Sequence, residues 1–188
     1  METQTIVIIL VGFFILHWYS SLFFQSLFHH RYAAHGMFRM SNFWEKTFHI
    51  GSFITQGSSY LSPYAYGVLH RLHHAFADTE KDPHSPIFDK DVFHMMWRTR
   101  KIYNEIDQEI AVVGEKFKKG VPKWREFDKF AESKFTRLAW VAVYIAIYFL
   151  FNSPWWLYVL IPLHVLMSPV HGVIVNWFSH KYGYRNFN

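Results

Sequence analysis

Three segments of this chain carry residues whose types and spacing can do chemistry: His30-Arg31-Tyr32-Ala33-Ala34-His35, His70-Arg71-Leu72-His73-His74 and Asn176-Trp177-Phe178-Ser179-His180. Neutral imidazole binds iron, copper, zinc and nickel well, and it brings no charge that burial would penalise. Six histidines and one asparagine are more donors than one ion takes, so the set points to two metal ions. Cysteine is absent, which excludes disulfides and thiolate sites and leaves imidazole and oxygen as ligands.

Helix geometry sorts the donors. At about 100° per residue, His70, His73 and His74 fall within an arc of roughly 100° and share one face. Asn176 and His180, four apart, share a face as well. His30 and His35 are five apart, roughly 140° round an α-helix, and are expected to act together only at a helix end where the chain turns. Among the other histidines, His17, His164 and His171 each stand alone in an apolar run. They are expected to bond a carbonyl or water and to point away from any metal. His49 and His94 also read as structural. His29 adjoins His30 and competes with it for the first cluster. His84, within Asp82-Pro83-His84-Ser85-Pro86, reads as part of a rigid turn supporting the site. Asp78 and Asp82 are placed to accept N–H bonds from ligating histidines and so fix their tautomers.

The elements that hold these clusters follow from the charges. Hydrophobic residues make up 51% of the 188 and aromatic ones 21%, both high for a water-soluble protein. The net charge of +5 would suit nucleic acid if it were spread, but residues 1–30 and 138–180 contain no Lys or Arg. Residues 5–28 are uncharged and long enough to cross about 30 Å of hydrocarbon. A secretory signal peptide is the alternative, yet Glu2 precedes the apolar run and His-His-Arg closes it. Residues 138–175 form a second uncharged stretch broken at Asn152-Ser153-Pro154, which reads as a hairpin with arms at 136–151 and 155–175. Pro162 and Pro169 are expected to kink its second arm.

Lys and Arg near span ends stay cytoplasmic, which places residues 29–135 and the end of the chain on that side. The expectation is a single all-α integral-membrane domain, 1–188, with three transmembrane helices and a helical cytoplasmic cap. Residues 43–69, apolar but rich in Gly, Ser and Thr, read as an interfacial or re-entrant segment. Residues 98–135 read as one or two amphipathic helices. A hairpin is an even number of crossings, so all three clusters end on one face.

With those residues in place, the sequence resembles the membrane fatty-acyl desaturases of the acyl-CoA (stearoyl-CoA) type. His30-Arg31-x-x-x-His35 is similar to that family's first histidine box, and this register selects His30 over His29. His70-Arg71-x-His73-His74, with Asp78 and Asp82-Pro83-His84-Ser85-Pro86 after it, is similar to the second box and its downstream signature. Asn176-x-x-x-His180-x-x-Gly183-x-Arg185 is similar to the segment after the last membrane helix, where the family uses an asparagine, through water, and a histidine as ligands. Two features depart from the pattern. One span precedes the first box where the family has a pair, and the final His-x-x-His-His box has no counterpart before Asn188. The reading is a chain truncated at its C-terminus, with an incomplete centre.

The resemblance implies a non-haem di-iron centre held by His30, His35, His70, His73, His74 and His180, with Asn176 through water. It implies oxygen-dependent introduction of a cis double bond into a fatty-acyl chain. The substrate would be an acyl-CoA or acyl-lipid from the membrane, the oxidant O2, and the electron donor a separate ferredoxin, rubredoxin or cytochrome b5. Lys116, Lys118, Lys119, Lys123 and Arg125 are candidates to meet carrier phosphates, although topology alone would also place basic residues there. Rival readings are a related histidine-box hydroxylase or alkane monooxygenase, and a non-catalytic membrane protein binding metal or acyl lipid. Transporters place ionisable ligands at mid-depth in their spans, whereas here they crowd the ends.

Overall fold

The computed structural model describes residues 2–181, apart from the Ser179 side chain. All regular elements among the described residues are helical. Helix α1 (Thr3–Phe24) continues without interruption into a π-helical segment, Gln25–Ala34. Together they form the one described helix that is long and apolar enough to cross a membrane. Two bent pairs raise the number to three if each is one span: Arg125–Glu132 with Lys134–Leu150, bent by 54°, and Trp155–Val165 with Met167–Phe178, bent by 68°. The second bend follows Val165, the residue four before Pro169. Pro169 has no N–H for the Val165 carbonyl and its ring crowds that carbonyl, so the helix breaks there. Of the two expected kinks, this one dominates.

The chain divides into two compact units. The first comprises residues 2–28, 40–61 and 124–168. It contains α1, α2 (Asn42–Gln56), α6 (Arg125–Glu132), α7 (Lys134–Leu150) and α8 (Leu160–Val165). Ile6, Leu10, Tyr148 and Leu157 form its apolar cluster. Between α7 and the next helix, Asn152 takes a left-handed φ of 48°, which its short polar side chain tolerates, and Pro154 follows. That is the hairpin turn. At 15 residues α2 spans about 22 Å, too short to cross, and it ends at Gly57. Gly57 has φ 53°, and a Cβ there would run into the Tyr144 hydroxyl, so the turn favours glycine. Arg137 ties the turn down by donating to the carbonyls of Ser58 (2.6 Å) and Tyr60 (3.0 Å).

The second unit comprises residues 29–39, 62–123 and 169–181. Helix α3 (Pro63–Phe76) begins at Ser62, whose hydroxyl accepts the Ala65 N–H at 3.3 Å, with Pro63 at the first helical position. α3 packs on α4 (Val92–Asp107). The stretch 98–135, expected to hold one or two helices, is more broken. It comprises the end of α4, a four-residue turn α5 (Glu115–Lys118) and α6. Gly114, Gly120 with φ 72° and Pro122 interrupt it. The last described elements are α9 (Met167–Gly172), a second π-helical segment (Val173–Phe178) and α10 (Ser179–Lys181).

Candidate metal centre

His30 and His35 meet at a helix end, as expected: the segment Gln25–Ala34 stops one residue before His35, and the chain turns at Gly36 with φ 60°. The helix around them is π-helical, and the His35 N–H donates to the His30 carbonyl at 3.0 Å. In a π-helix the hydrogen-bonded turn closes over five residues rather than four. A five-residue spacing that would diverge in an α-helix therefore lines up. The His35 Nε2 lies 3.2 Å from His30 Nε2 and 3.2 Å from His70 Nε2. His74, one α-turn after His70 on α3, closes the group at 2.9 Å from His70 Nε2. One donor nitrogen from each of the four lies within 4.8 Å of the others. Donors on a single ion at about 2.1 Å are separated by at most about 4.2 Å, so the group needs little adjustment to hold one.

His73, on the same face of α3, begins a second group with Asp82 and His84. Its Nδ1–H donates to both oxygens of the buried Asp82, at 2.8 and 2.9 Å. This bond fixes the tautomer and leaves Nε2 as the metal-facing nitrogen. Asp82 also accepts the N–H of His84 at 3.0 Å and that of Asp78 at 2.9 Å. Burial alone would push the Asp82 carboxyl up; the bonds from His73, His84 and Asp78 outweigh it and hold the carboxyl below its usual range. The His180 ring lies 5.1 Å from that of His73, and its Nδ1 is 3.8 Å from Asp78. Asp78 therefore serves the loop and His180, while Asp82 serves His73.

Burial pushes the His70 imidazole down to about 2, reinforced by neighbouring His30, His74, His84 and His35. Burial likewise pushes His84 down to about 3, with His73 adding to it. Both stay neutral at physiological pH, the state a metal requires.

The remaining candidates lie on several elements. Asn176 lies in the second π-helical segment with its amide beside Gly172. Gly183 and Arg185 fall outside the described residues. His29 is buried in edge-to-face contact with Tyr66, apart from the four-histidine group. His49 bonds the Glu45 carbonyl and His94 bonds Asp89. Lys116 lines an open cleft of about 550 Å³ with His35, Arg71, His74, Ala75 and Phe117. Lys118 is engaged by Glu115 and Lys123 by Glu109. Lys119 is exposed, and Arg125 belongs to the first unit.

Two arginines that were given no role in the sequence secure the site. Arg71 donates to the carbonyls of Ala33, Ala34, Phe117 and Lys119. Arg98 pairs with Asp89 and donates to the carbonyls of Asp82 and Ser85. The family motif includes Arg71 between two ligands, which was the available signal; Arg98 carries none.

The family model "Fatty acid desaturase" matches residues 4–188. An icosanoyl-CoA 5-desaturase of Limnanthes douglasii is 34% identical over 95 residues, covering 44% of this chain and 26% of its own length. A delta-9 desaturase-like 2 protein of Arabidopsis thaliana is 33% identical over 70 residues, covering 37% of this chain and 22% of its own length. The matches thus span about a quarter of those relatives. No solved structure matches. With two groups of imidazoles gathered about one helix and a family match over nearly its whole length, this chain belongs to the fatty acid desaturase family.

Proposed function

We propose that this chain carries the metal-binding part of an oxygen-dependent fatty-acyl desaturase, an oxidoreductase embedded in the membrane as one domain with its histidine boxes on the cytoplasmic face. The observation that carries the reading is that α3 supplies both imidazole groups, His70 and His74 to one and His73 to the other. Two neighbouring ions are what such a helix can serve. His30, His35, His70 and His74 would hold the first. His73 and His180 would contribute to the second, with Asn176 through water and with Asp78, Asp82 and His84 behind them.

Two irons bound there would supply the oxidising power to break an unactivated C–H bond with O2. The overall reaction removes two hydrogens from adjacent methylenes to leave a cis alkene. O2, two electrons and two protons are consumed and two waters form, so a separate ferredoxin, rubredoxin or cytochrome b5 must deliver the electrons. The chain's own residues fix the ligands: Asp82 holds the His73 proton on Nδ1, and burial keeps His70 neutral. Lys116, at the cleft beside His35 and His74, is the best placed of the five basic candidates to meet an acyl-CoA phosphate. Lys118, Lys119, Lys123 and Arg125 would add a diffuse positive field. The acyl chain would come from membrane lipid or acyl-CoA.

The test has two parts. The protein expressed from its natural gene, purified and loaded anaerobically with ferrous iron, is expected to bind two equivalents by metal analysis, and fewer than two overturns the reading. Expressed from its natural gene in a host without a desaturase, the protein is expected to yield unsaturated fatty acids by gas chromatography, and His70→Ala to yield none.

A further inference from the structure

The end of α4 runs into a loop that is pinned in place yet presents bare aliphatic side chains. Glu109 takes a left-handed φ of 60°, which glycine adopts freely and a glutamate adopts only where its surroundings hold it. Here they do. The Ile110 and Ala111 N–H groups both donate to the Glu105 carbonyl, at 2.9 and 3.0 Å, and the Glu109 carboxylate pairs with Lys123 Nζ at 2.6 Å. Beyond Glu109 the side chains alternate. Ala111 and Val113 turn inward to a small cavity lined with Tyr64, Val68 and Ile106, while Ile110 is 67% exposed and Val112 wholly so. The inward pair anchors the loop. The outward pair leaves apolar surface in water on a loop that is not free to fold over and hide it.

Charge indicates what covers this surface. Lys116, Lys118, Lys119 and Lys123 follow in the same stretch, against Glu109 and Glu115. An apolar centre thus has a mainly basic rim, the anatomy of a protein-docking surface, and the complementary partner is acidic. The same stretch leads to the four-histidine group. Arg71, between His70 and His73, donates to the carbonyls of Phe117 and Lys119, and Lys116 and Phe117 line the open cleft with His35 and His74. Desaturation consumes two electrons per double bond, so a one-electron carrier must arrive and leave twice. Two aliphatic residues within a charged rim make a small interface, and small interfaces steered by charge suit such brief redox encounters.

We propose that the loop from Glu109 to Gly114 is the docking site of a small acidic electron-carrier protein. This rests on the oxygen-dependent reading above and adds to it the surface at which electrons are delivered. Ile110 and Val112 meet apolar surface on the carrier, and the lysines draw its carboxylates.

The full chain in lipid nanodiscs is titrated with plant-type ferredoxin, rubredoxin and cytochrome b5, with binding followed by surface plasmon resonance. At least one is expected to bind, and more weakly as salt is raised. Val112→Asp and Ile110→Asp set a carboxylate against the acidic partner and should each raise its Kd by about tenfold or more, whereas Val112→Ile should not. Bound iron should be unchanged in all three variants, as should the rate of reduction by methyl viologen, a dye too small to need a docking surface. Wild-type carrier affinity in both Asp variants, or no binding of any carrier by the wild type, would overturn the assignment. So would loss of iron from the Asp variants, which would make the loop a support of the centre. Iron content of the wild type is counted independently, so the two-metal reading stands or falls by itself. Val112→Cys, in a chain with no other cysteine, carries an environment-sensitive label to identify other occupants. Quenching of that label by brominated lipid would place the loop in the membrane, and a response to acyl-carrier protein in place of the electron carriers would make it a substrate port. Either result overturns the electron-carrier assignment.

Discussion

His17 Nδ1 and His164 Nδ1 lie 2.7 Å apart although 147 residues separate them in the chain. Each was expected to bond a carbonyl or water from an isolated position. Instead α1 and α8 pair them across the first unit, and His164 Nε2 continues to the Tyr148 hydroxyl at 3.1 Å. If these helices cross a membrane, as proposed, such a bond holds them together where no hydrophobic force does. His164→Leu is expected to lower stability by about 1–3 kcal/mol, since His17 loses its buried partner, while metal content is unchanged. Thermal unfolding and metal analysis on one preparation check both halves. A loss of bound metal would place this pair in the metal site.

Arg71 is a clamp. Its fork donates to four carbonyls, two at the end of the first-box helix and two in the α5 turn. A Lys offers one compact charge in place of the planar fork. Arg71→Lys is therefore expected to loosen His35 and weaken metal binding about 10–100-fold, the range for groups that orient ligands. Metal titration decides it, and unchanged affinity would show that α3 alone places the box.

The proposed topology separates Ser153 from Thr79. Because the chain has no cysteine, Ser153→Cys and Thr79→Cys give single reactive thiols. In sealed membrane vesicles an impermeant reagent should label one of them and not the other. Labelling of both from one side would remove the three-span arrangement.

The candidate spans were legible because Lys and Arg are absent from them: the runs 1–30 and 138–180 outline α1, most of α7 and α8–α9, and Pro169 marks the break between the last two. The second box was legible because an α-helix brings residues three and four apart together. What sequence could not give was the π-helical winding at His30–His35. That winding changes which spacing lines up and leaves no residue signature. Arg98 was hidden, and so were the partners of Arg71, since both arginines bond carbonyls, which every residue has. The pairing of His17 with His164 depends on which helices pack, and local pattern says nothing about that.

The neutral imidazoles make acid the condition under which the second unit should fail. Burial first, and neighbouring imidazoles next, hold His70 at about 2 and His84 at about 3, against about 6.5 in an unfolded chain. As pH falls through 6.5 the unfolded chain takes up protons that the folded chain refuses, so stability drops with pH from about 6.5 towards 3. Above 6.5 these groups contribute no pH dependence. Asp82 acts in a different window. Its carboxyl is held below the usual value, so its contribution is present above about 3.8 and is lost only as pH falls further. A decline between pH 6.5 and 4 in the metal-free protein therefore belongs to the imidazoles. His84→Gln removes one of them and should flatten that decline, and bound metal should be released over the same range because protons compete for the ligand nitrogens. Thermal unfolding of the metal-free chain as a function of pH measures it. A midpoint that stays level from pH 7 to 4 in the wild type would mean that these histidines are far more accessible to protons than their burial indicates.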